Sequence, residues 1–295
     1  MENIKSNSKN KKSNLFLAII GTILFLYAIV MVLVLVWALL ATLKPYSEFL
    51  DAPLAFPNLK TIQLDNWIKV FNKFVVSVEE NDYYIESLFI FSLIYSLGCS
   101  FCASIVTCIM AYAVSKYKYK FSSVIYAVVI IAMILPIVGA LPSEMQMLNF
   151  LNLYDKFIGV FIMKSNFLGI YFLIYYATFK GIPWTYAESA FIDGASHFKV
   201  MVRIMIPLVK TTFLAVFLLN FIMFWNDYQG PMLYLPSYPT LSFGLFYMKF
   251  NSTVDFGREN LQLTCCMLVA LPIIIMFIIF QKRLMGNLAV GGIKG

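Results

Sequence analysis

Charge is what this sequence has least of. Only 13% of its 295 residues are charged, about half of the roughly 25% typical of soluble proteins. That shortage excludes an ordinary water-soluble globule and points to lipid as the main solvent. Histidine is scarcer still, with His197 standing alone. One imidazole leaves no room for a histidine-based triad or a histidine metal cluster. Cys99, Cys102, Cys108, Cys265 and Cys266 all lie inside apolar runs. They read as small polarizable packing residues, so neither a disulfide framework nor a metal or redox site is expected. A cleavable leader is not expected either: the first apolar run is about twice the usual 7–15 residues and is followed by "TLKPYSEF", without a small-residue cleavage site.

Long uncharged stretches are present in quantity. Leu15–Leu43, Ser87–Ser115, Phe121–Ser143 and Leu261–Gln281 contain no Asp, Glu, Lys or Arg. Each exceeds the roughly 20 residues that a helix needs to cross about 30 Å of hydrocarbon. Two shorter candidates follow: Ser165–Phe179, and Pro207–Asn226, where Lys210 stands near one end and can snorkel. The expected architecture is an all-α integral membrane protein of six transmembrane helices. A disordered tail over 1–14 precedes a single membrane domain over 15–295.

Orientation follows from lysine and arginine. With the N-terminus inside, the inner segments hold 14 cations and three acids, and the outer segments 8 cations and 12 acids. N-in, C-in is therefore the expected topology. The net charge of +7 is explained by that asymmetry and calls for no nucleic acid. Among the outer segments, "LDNWIKVF" is spaced like a short amphipathic helix. "GPMLYLPSYPTLSFGLFYM" carries enough proline to favour irregular chain.

One inner segment breaks the apolar pattern: "YAESAFIDGASHFKVMVRIMIPL", Tyr186–Leu208. Pro183 suits the first turn of a helix. Ala187, Ala190 and Phe191 fall on one helical face, and Asp193-Gly194 stops the helix, glycine taking a positive φ. A second short helix over Phe198, Met201, Val202 and Met205 leads to Pro207. Ser189, Ala190 and Ala195 are small enough for close approach, while Ile192 and Phe198 are costly to leave in water. The segment reads as a protein-docking elbow or as a helix lying in the headgroup region, anchored by Lys199 and Arg203. Glu188, Asp193 and His197 do not share a helical face across the glycine, which argues against catalysis.

These residues resemble the EAA loop of permease subunits of ATP-binding-cassette importers. The carbohydrate branch, similar to the second subunit of maltose permeases, fits best. Glu188-Ser189-Ala190, Asp193-Gly194-Ala195 and Ile206-Pro207-Leu208 follow the family pattern, with Ser189 where the family has alanine. "LVWALLATLKPYSEF", "AYAVSKYKYKF", "FWNDYQGPMLYL" and "FQKRLMGNLAVGGIKG" resemble further family segments in order.

The resemblance implies a multi-pass protein of a prokaryotic cell membrane, forming an alternating-access pathway with a sister permease. An extracytoplasmic solute-binding protein would deliver a sugar or oligosaccharide. A separate cytosolic ATPase dimer would bind ATP and Mg, and this chain would bind no cofactor. Glu188, Ser189, Ala190, Ile192, Asp193, Gly194, Ala195, Phe198 and Pro207 would form the coupling helix, within a loop over about 181–206 between the fourth and fifth spans. The cytoplasmic tail, about 282–295, would reach the ATPase with Gly291, Gly292, Ile293, Lys294 and Gly295. That tail also holds Gly286 and Gly291 at phosphate-loop spacing, but Gly292 occupies the lysine position and no strand precedes it.

For the solute pathway the candidates are Trp225, Asn226, Asp227, Tyr228, Tyr171, Tyr175 and Lys164, since sugars stack on aromatic faces and charge near hydrocarbon marks function. Pro231, Tyr234, Pro236 and Tyr238 are the candidates for contacting the binding protein. The competing readings are a permease for another solute such as glycerol phosphate or a peptide, an ion-coupled carrier and a membrane enzyme. The last two lack, respectively, acids within the uncharged runs and a nucleophile–base pair.

Overall fold

The computed structural model describes residues 2–78, 80–117, 119–135, 139–250 and 258–288, with side chains from 16 to 281. The chain divides into two units, Met1–Lys73 with Ser252–Leu268, and Phe74–Asn251 with Val269–Gly295.

In the first unit, α1 (Glu2–Thr42) is apolar over Phe16–Thr42, 27 residues. Most of these side chains are exposed, as a lipid-facing helix requires. The head expected to be disordered continues this helix back to Glu2. Propagating an existing helix fixes one residue per hydrogen bond, which is far cheaper than nucleating one.

α2 (Tyr46–Asp51) and α3 (Asp65–Lys73) follow, the latter being the amphipathic helix expected from "LDNWIKVF". Buried Asn66 donates to the carbonyls of Thr42 (2.7 Å) and Lys44 (2.8 Å), closing the end of α1. Lys44 is itself buried, its Nζ donating to Ala52 O at 2.8 Å. Glu48 accepts from the Thr61 hydroxyl (2.5 Å) and Asn58 N–H (2.8 Å), which hold its carboxyl below the usual carboxylate range.

The second unit begins with an antiparallel hairpin, β1 (Val75–Val78) and β2 (Asn81–Tyr84), with Val75 opposite Tyr84. α4 (Ile85–Lys116) is its central helix. Ser92, Ser96, Ser100 and Ser104 recur every four residues on its buried face. Small side chains let neighbouring helices come close, and the hydroxyls of Ser92, Ser96 and Ser100 donate back to the preceding turn.

The remaining elements are α5 (Ser122–Ile134), α6 (Ala140–Phe150), α7 (Phe157–Lys164), α8 (Ile170–Gly181), α9 (Thr185–Ile192), α10 (His197–Val200), a π-helical turn (Met201–Met205), α11 (Ile206–Leu208), α12 (Lys210–Trp225), α13 (Gln229–Tyr234) and α14 (Leu241–Phe250). α15 (Glu259–Leu288) closes the described chain. α4 packs against α12, α8 and α7.

Several expectations are corrected here. The third apolar run is two helices, α5 and α6, rather than one over 121–143. Leu135 is extended (φ −77°, ψ 120°) because the following Pro136 disfavours the helical conformation before it. α8 has 12 residues, about 18 Å of helix, short for a complete span. α10–α11 and α12 meet at 76°. Among the described residues, three helices are long and apolar enough to cross a membrane, or four if that bent pair counts as one. An uncharged run is a statement about solvent; it does not guarantee continuous helix. The stretch expected to be irregular also carries α13 and α14. Pro231 sits in the first turn of α13, where its missing N–H costs no bond.

Candidate functional site: an elbow and a polar cavity

The elbow is built by α9, α10 and the turn between them. α9 buries Ala187 and Ala190 on the core side. Its C-terminus closes with two bonds, Ala195 N to Ala190 O (2.9 Å) and Gly194 N to Phe191 O (3.0 Å), around Gly194 at φ +78°. This is a Schellman motif, and its left-handed position is the one that glycine fills without strain. Ser196 then caps α10, accepting from Lys199 N at 3.3 Å.

Behind the elbow, Phe191 lies between Trp184 (6.0 Å) and His197 (4.6 Å). His197 Nδ1 is 3.0 Å from the Tyr117 hydroxyl. The single histidine is therefore a structural pin. Lys116 Nζ donates to Ile182 O at 2.5 Å and anchors the approach to α9. Pro207 has no N–H to return to the preceding turn. The helix widens there, and Ile206 N reaches Met201 O.

The elbow exposes several apolar side chains, Tyr186 and Val202 in part and two others far more. Ile192 is 86% and Phe198 71% exposed. Glu188, Ser189, Asp193, Gly194 and Pro207 are exposed around them. Ala190, named as a coupling residue, instead faces the chain's own core, and Ala195 is half-buried. They shape the elbow from within. Gly291, Gly292, Ile293, Lys294 and Gly295 lie outside the described residues.

A second feature lies toward the other end of α4. A cavity of about 610 Å³ is lined by Lys164, Tyr171, Asn226 and Asp227, all expected in the solute pathway, and by Glu144, Asn166 and Asn220, which were not. Asp227 accepts from the Tyr95 hydroxyl (2.7 Å) and from Gly230 N (2.9 Å). A Cβ on Gly230 would strike both Tyr95 and Asp227, so glycine is required for this approach. Glu144 accepts from the Tyr234 hydroxyl at 2.5 Å, and Lys164 Nζ stands 5.7 Å from the centre of the Tyr234 ring. Asn220, 3% exposed, donates to Ser104 Oγ at 3.0 Å.

Three expected pathway residues are elsewhere. Trp225 is buried, stacks on Phe221 (5.5 Å) and donates to Val269 O at 2.9 Å. Tyr175 is fully buried in the cluster behind the elbow. Tyr228 stacks on Phe246 at 4.5 Å and does not line the cavity. Their rings are used for packing. Among the residues expected to meet a binding protein, Pro231 and Tyr234 are buried. Pro236 and Tyr238 are half-buried, Tyr238 packing on Phe157 (4.8 Å) and Phe91 (5.2 Å). Asn220 did carry a signal, as a lone amide within "FLLNFIM". Glu144 stands where an uncharged run ends, a place at which charge reads as a span boundary.

Comparison with known proteins bears on both features. The chain is 29% identical over 264 residues to the arabinooligosaccharides transport system permease protein AraQ of Bacillus subtilis, covering 87% of this chain and 88% of that protein. It is 26% identical over 285 residues to the trehalose/maltose transport system permease protein MalG of Thermococcus litoralis, covering 95% and 96%. Its backbone matches, at a TM-score of 0.76 and 18% identity, a chain of a bacterial ABC transporter involved in the import of the acidic polysaccharide alginate, covering 91% of this chain and 96% of that one. At that identity the likeness establishes the fold. Residues 103–288, which contain the elbow and every residue lining the cavity, match the family described as binding-protein-dependent transport system inner membrane component, and the chain belongs to that family.

Proposed function

We propose that this chain is the permease subunit of an ATP-binding-cassette importer for a sugar or oligosaccharide. The observation that carries the reading is the elbow: two large apolar side chains held out beside a Schellman turn and left largely exposed among the described residues. Burying an aliphatic or aromatic side chain contributes about 1.5–3 kcal/mol. Ile192 and Phe198 together thus offer several kcal/mol to a partner. Shifting a two-state equilibrium from 1:99 to 99:1 takes about 5.5 kcal/mol of differential binding, so a grip on the elbow that changes between states has the right magnitude.

In this reading the elbow lies in the cytoplasm and docks on a separate ATPase dimer, which binds ATP and Mg. A sister permease completes the pathway, and an extracytoplasmic binding protein delivers the solute. The six spans run N-in, C-in. α5 with α6, and the bent pair ending in α12, each serve as one span although neither is a single straight helix. Several relatives are named for arabinooligosaccharides, starch degradation products, diacetylchitobiose and trehalose, which supports a saccharide as cargo. An ion-coupled carrier is less well supported, because such a carrier needs no exposed docking elbow.

The test is a photo-crosslinking amino acid at position 192 or 198, in cells that also make the cognate ATPase subunit. Crosslinks to that ATPase are expected. Labelling of these positions by an impermeant reagent from outside intact cells would end the reading.

A further inference from the structure

The cavity carries more information than its position. Its volume, about 610 Å³, lies within the range of roughly 300–1,000 Å³ typical of small-molecule sites. Two carboxylates line it, Glu144 and Asp227, with Lys164 as the one cation among its lining residues. The carboxylates are oriented by neutral donors: Tyr95 and Gly230 N hold Asp227, and Tyr234 holds Glu144. Such donors fix direction without cancelling charge. An ionised carboxylate accepts at about four positions on its two oxygens, so Asp227 and Glu144 retain lone pairs for incoming hydroxyls. Lys164 is engaged with the Tyr234 face and, among the described residues, is in no salt bridge.

Asn220 adds a neutral amide to the same wall. It is 97% buried by its 3% exposure, lines the cavity, and uses its amide N–H on Ser104. Its amide oxygen has no hydrogen-bond partner among the described residues. That oxygen is not enclosed by the protein: it opens on the cavity and can accept from a solute hydroxyl. Tyr171, on the same wall, supplies a ring against which a pyranose can lie.

We infer that this cavity is a saccharide subsite formed by this chain itself, and that its acid pair selects neutral or amino sugars and rejects uronates. The inference rests on the importer reading above. Hydroxyl donors of a neutral sugar meet Asp227, Glu144 and the Asn220 amide oxygen, and an ammonium on an amino sugar pairs with the carboxylates. A uronate brings a third negative charge into a site whose cation is already placed on an aromatic ring. Specificity against a wrong solute is built in this way, from repulsion as well as attraction.

The experiment uses the assembled complex of this chain, its sister permease and the ATPase in lipid nanodiscs, without the binding protein. Maltotriose, tri-glucosamine and tri-galacturonate are titrated by calorimetry. Tri-glucosamine and maltotriose are expected to bind at least tenfold more tightly than tri-galacturonate. The double variant Glu144→Gln with Asp227→Asn should remove that difference, and Asn220→Ala should weaken both favoured ligands about fivefold. Assembly of each variant is checked by size-exclusion chromatography. Asp227→Asn alone keeps an oxygen for Gly230 N and serves if the double variant does not assemble. Equal binding of the three sugars, an order unchanged by the variants, or no binding of any of them overturns the subsite. The importer reading is judged apart, by stimulation of ATPase activity when the cognate binding protein is added to the same nanodiscs.

Discussion

Two regions of the second unit treat apolar and polar side chains in opposite ways. Around the C-terminal half of α4, the cluster holding Ala111, Tyr112 and Val114 packs the inner face of the elbow, while Ile192 and Phe198 stay largely exposed among the described residues. Around the N-terminal half, the cluster holding Tyr95, Cys99 and Ala103 packs the other region. There the polar groups turn inward on a cavity, held by Tyr95, Tyr234 and Gly230. The elbow offers apolar area, which is non-directional and suits a macromolecular partner. The cavity offers fixed acceptors, which are directional and suit a small polyhydroxylated solute. Rigidity serves both: a Schellman turn in one, hydrogen-bonded carboxylates in the other.

The largest effect that can break this contrast is expected at the elbow. Ile192→Asp with Phe198→Asp removes the apolar area without touching the core. Transport should fall more than 100-fold and the ATPase should no longer copurify, while the chain still enters the membrane. If the ATPase still copurifies in equal amount, the elbow is not its dock.

Next comes Gly194. Among the described residues, no atom beyond the adjacent positions lies within 4 Å of a Cβ added there, so the cost of Gly194→Val is backbone strain, about 1–2 kcal/mol. Gly194→Asn should be milder, because asparagine tolerates the left-handed region. Transport is expected to rank glycine, then asparagine, then valine, with valine roughly tenfold down. Valine and asparagine giving the same loss would point to a clash with a partner in place of strain.

On the cavity side, Tyr95→Phe leaves one Asp227 oxygen without its donor. A net hydrogen bond to a charged group is worth about 1.5–3 kcal/mol. Thermal stability of the complex should drop by a few degrees, and solute affinity should fall because the carboxylate is no longer aimed.

The smallest effect sharpens the comparison from the other direction. Trp225→Phe loses only the bond to Val269 O and some packing, about 1 kcal/mol. It should lower stability slightly and leave solute affinity unchanged. A change in affinity would return Trp225 to the pathway.

Much of the elbow was legible in the sequence. Asp193-Gly194 announced the stop, and Gly194 takes the positive φ this requires. Ser196 and Pro207 act through their own backbone or the adjacent turn. The amphipathic α3 could be read for the same reason. The break between α5 and α6 is encoded by Pro136, which the absence of charge over 121–143 does not reveal.

The cavity was only half legible. Lys164 and Asp227 stood out because charge is scarce in this chain. Trp225, Tyr175 and Tyr228 stood out equally as aromatics, and the fold uses all three for packing. Tyr234, sought at the surface, is instead buried and orients Glu144.

From composition and local pattern alone came the lipid environment, the apolar helices and the glycine elbow. These depend on each residue's own solvation and on hydrogen bonds a few positions apart. Which aromatic ring packs and which lines a cavity was decided by the tertiary structure. So was the meeting of Tyr95 with Asp227, 132 positions apart. Contacts at that separation are set by how helices dock, and no local propensity encodes the docking.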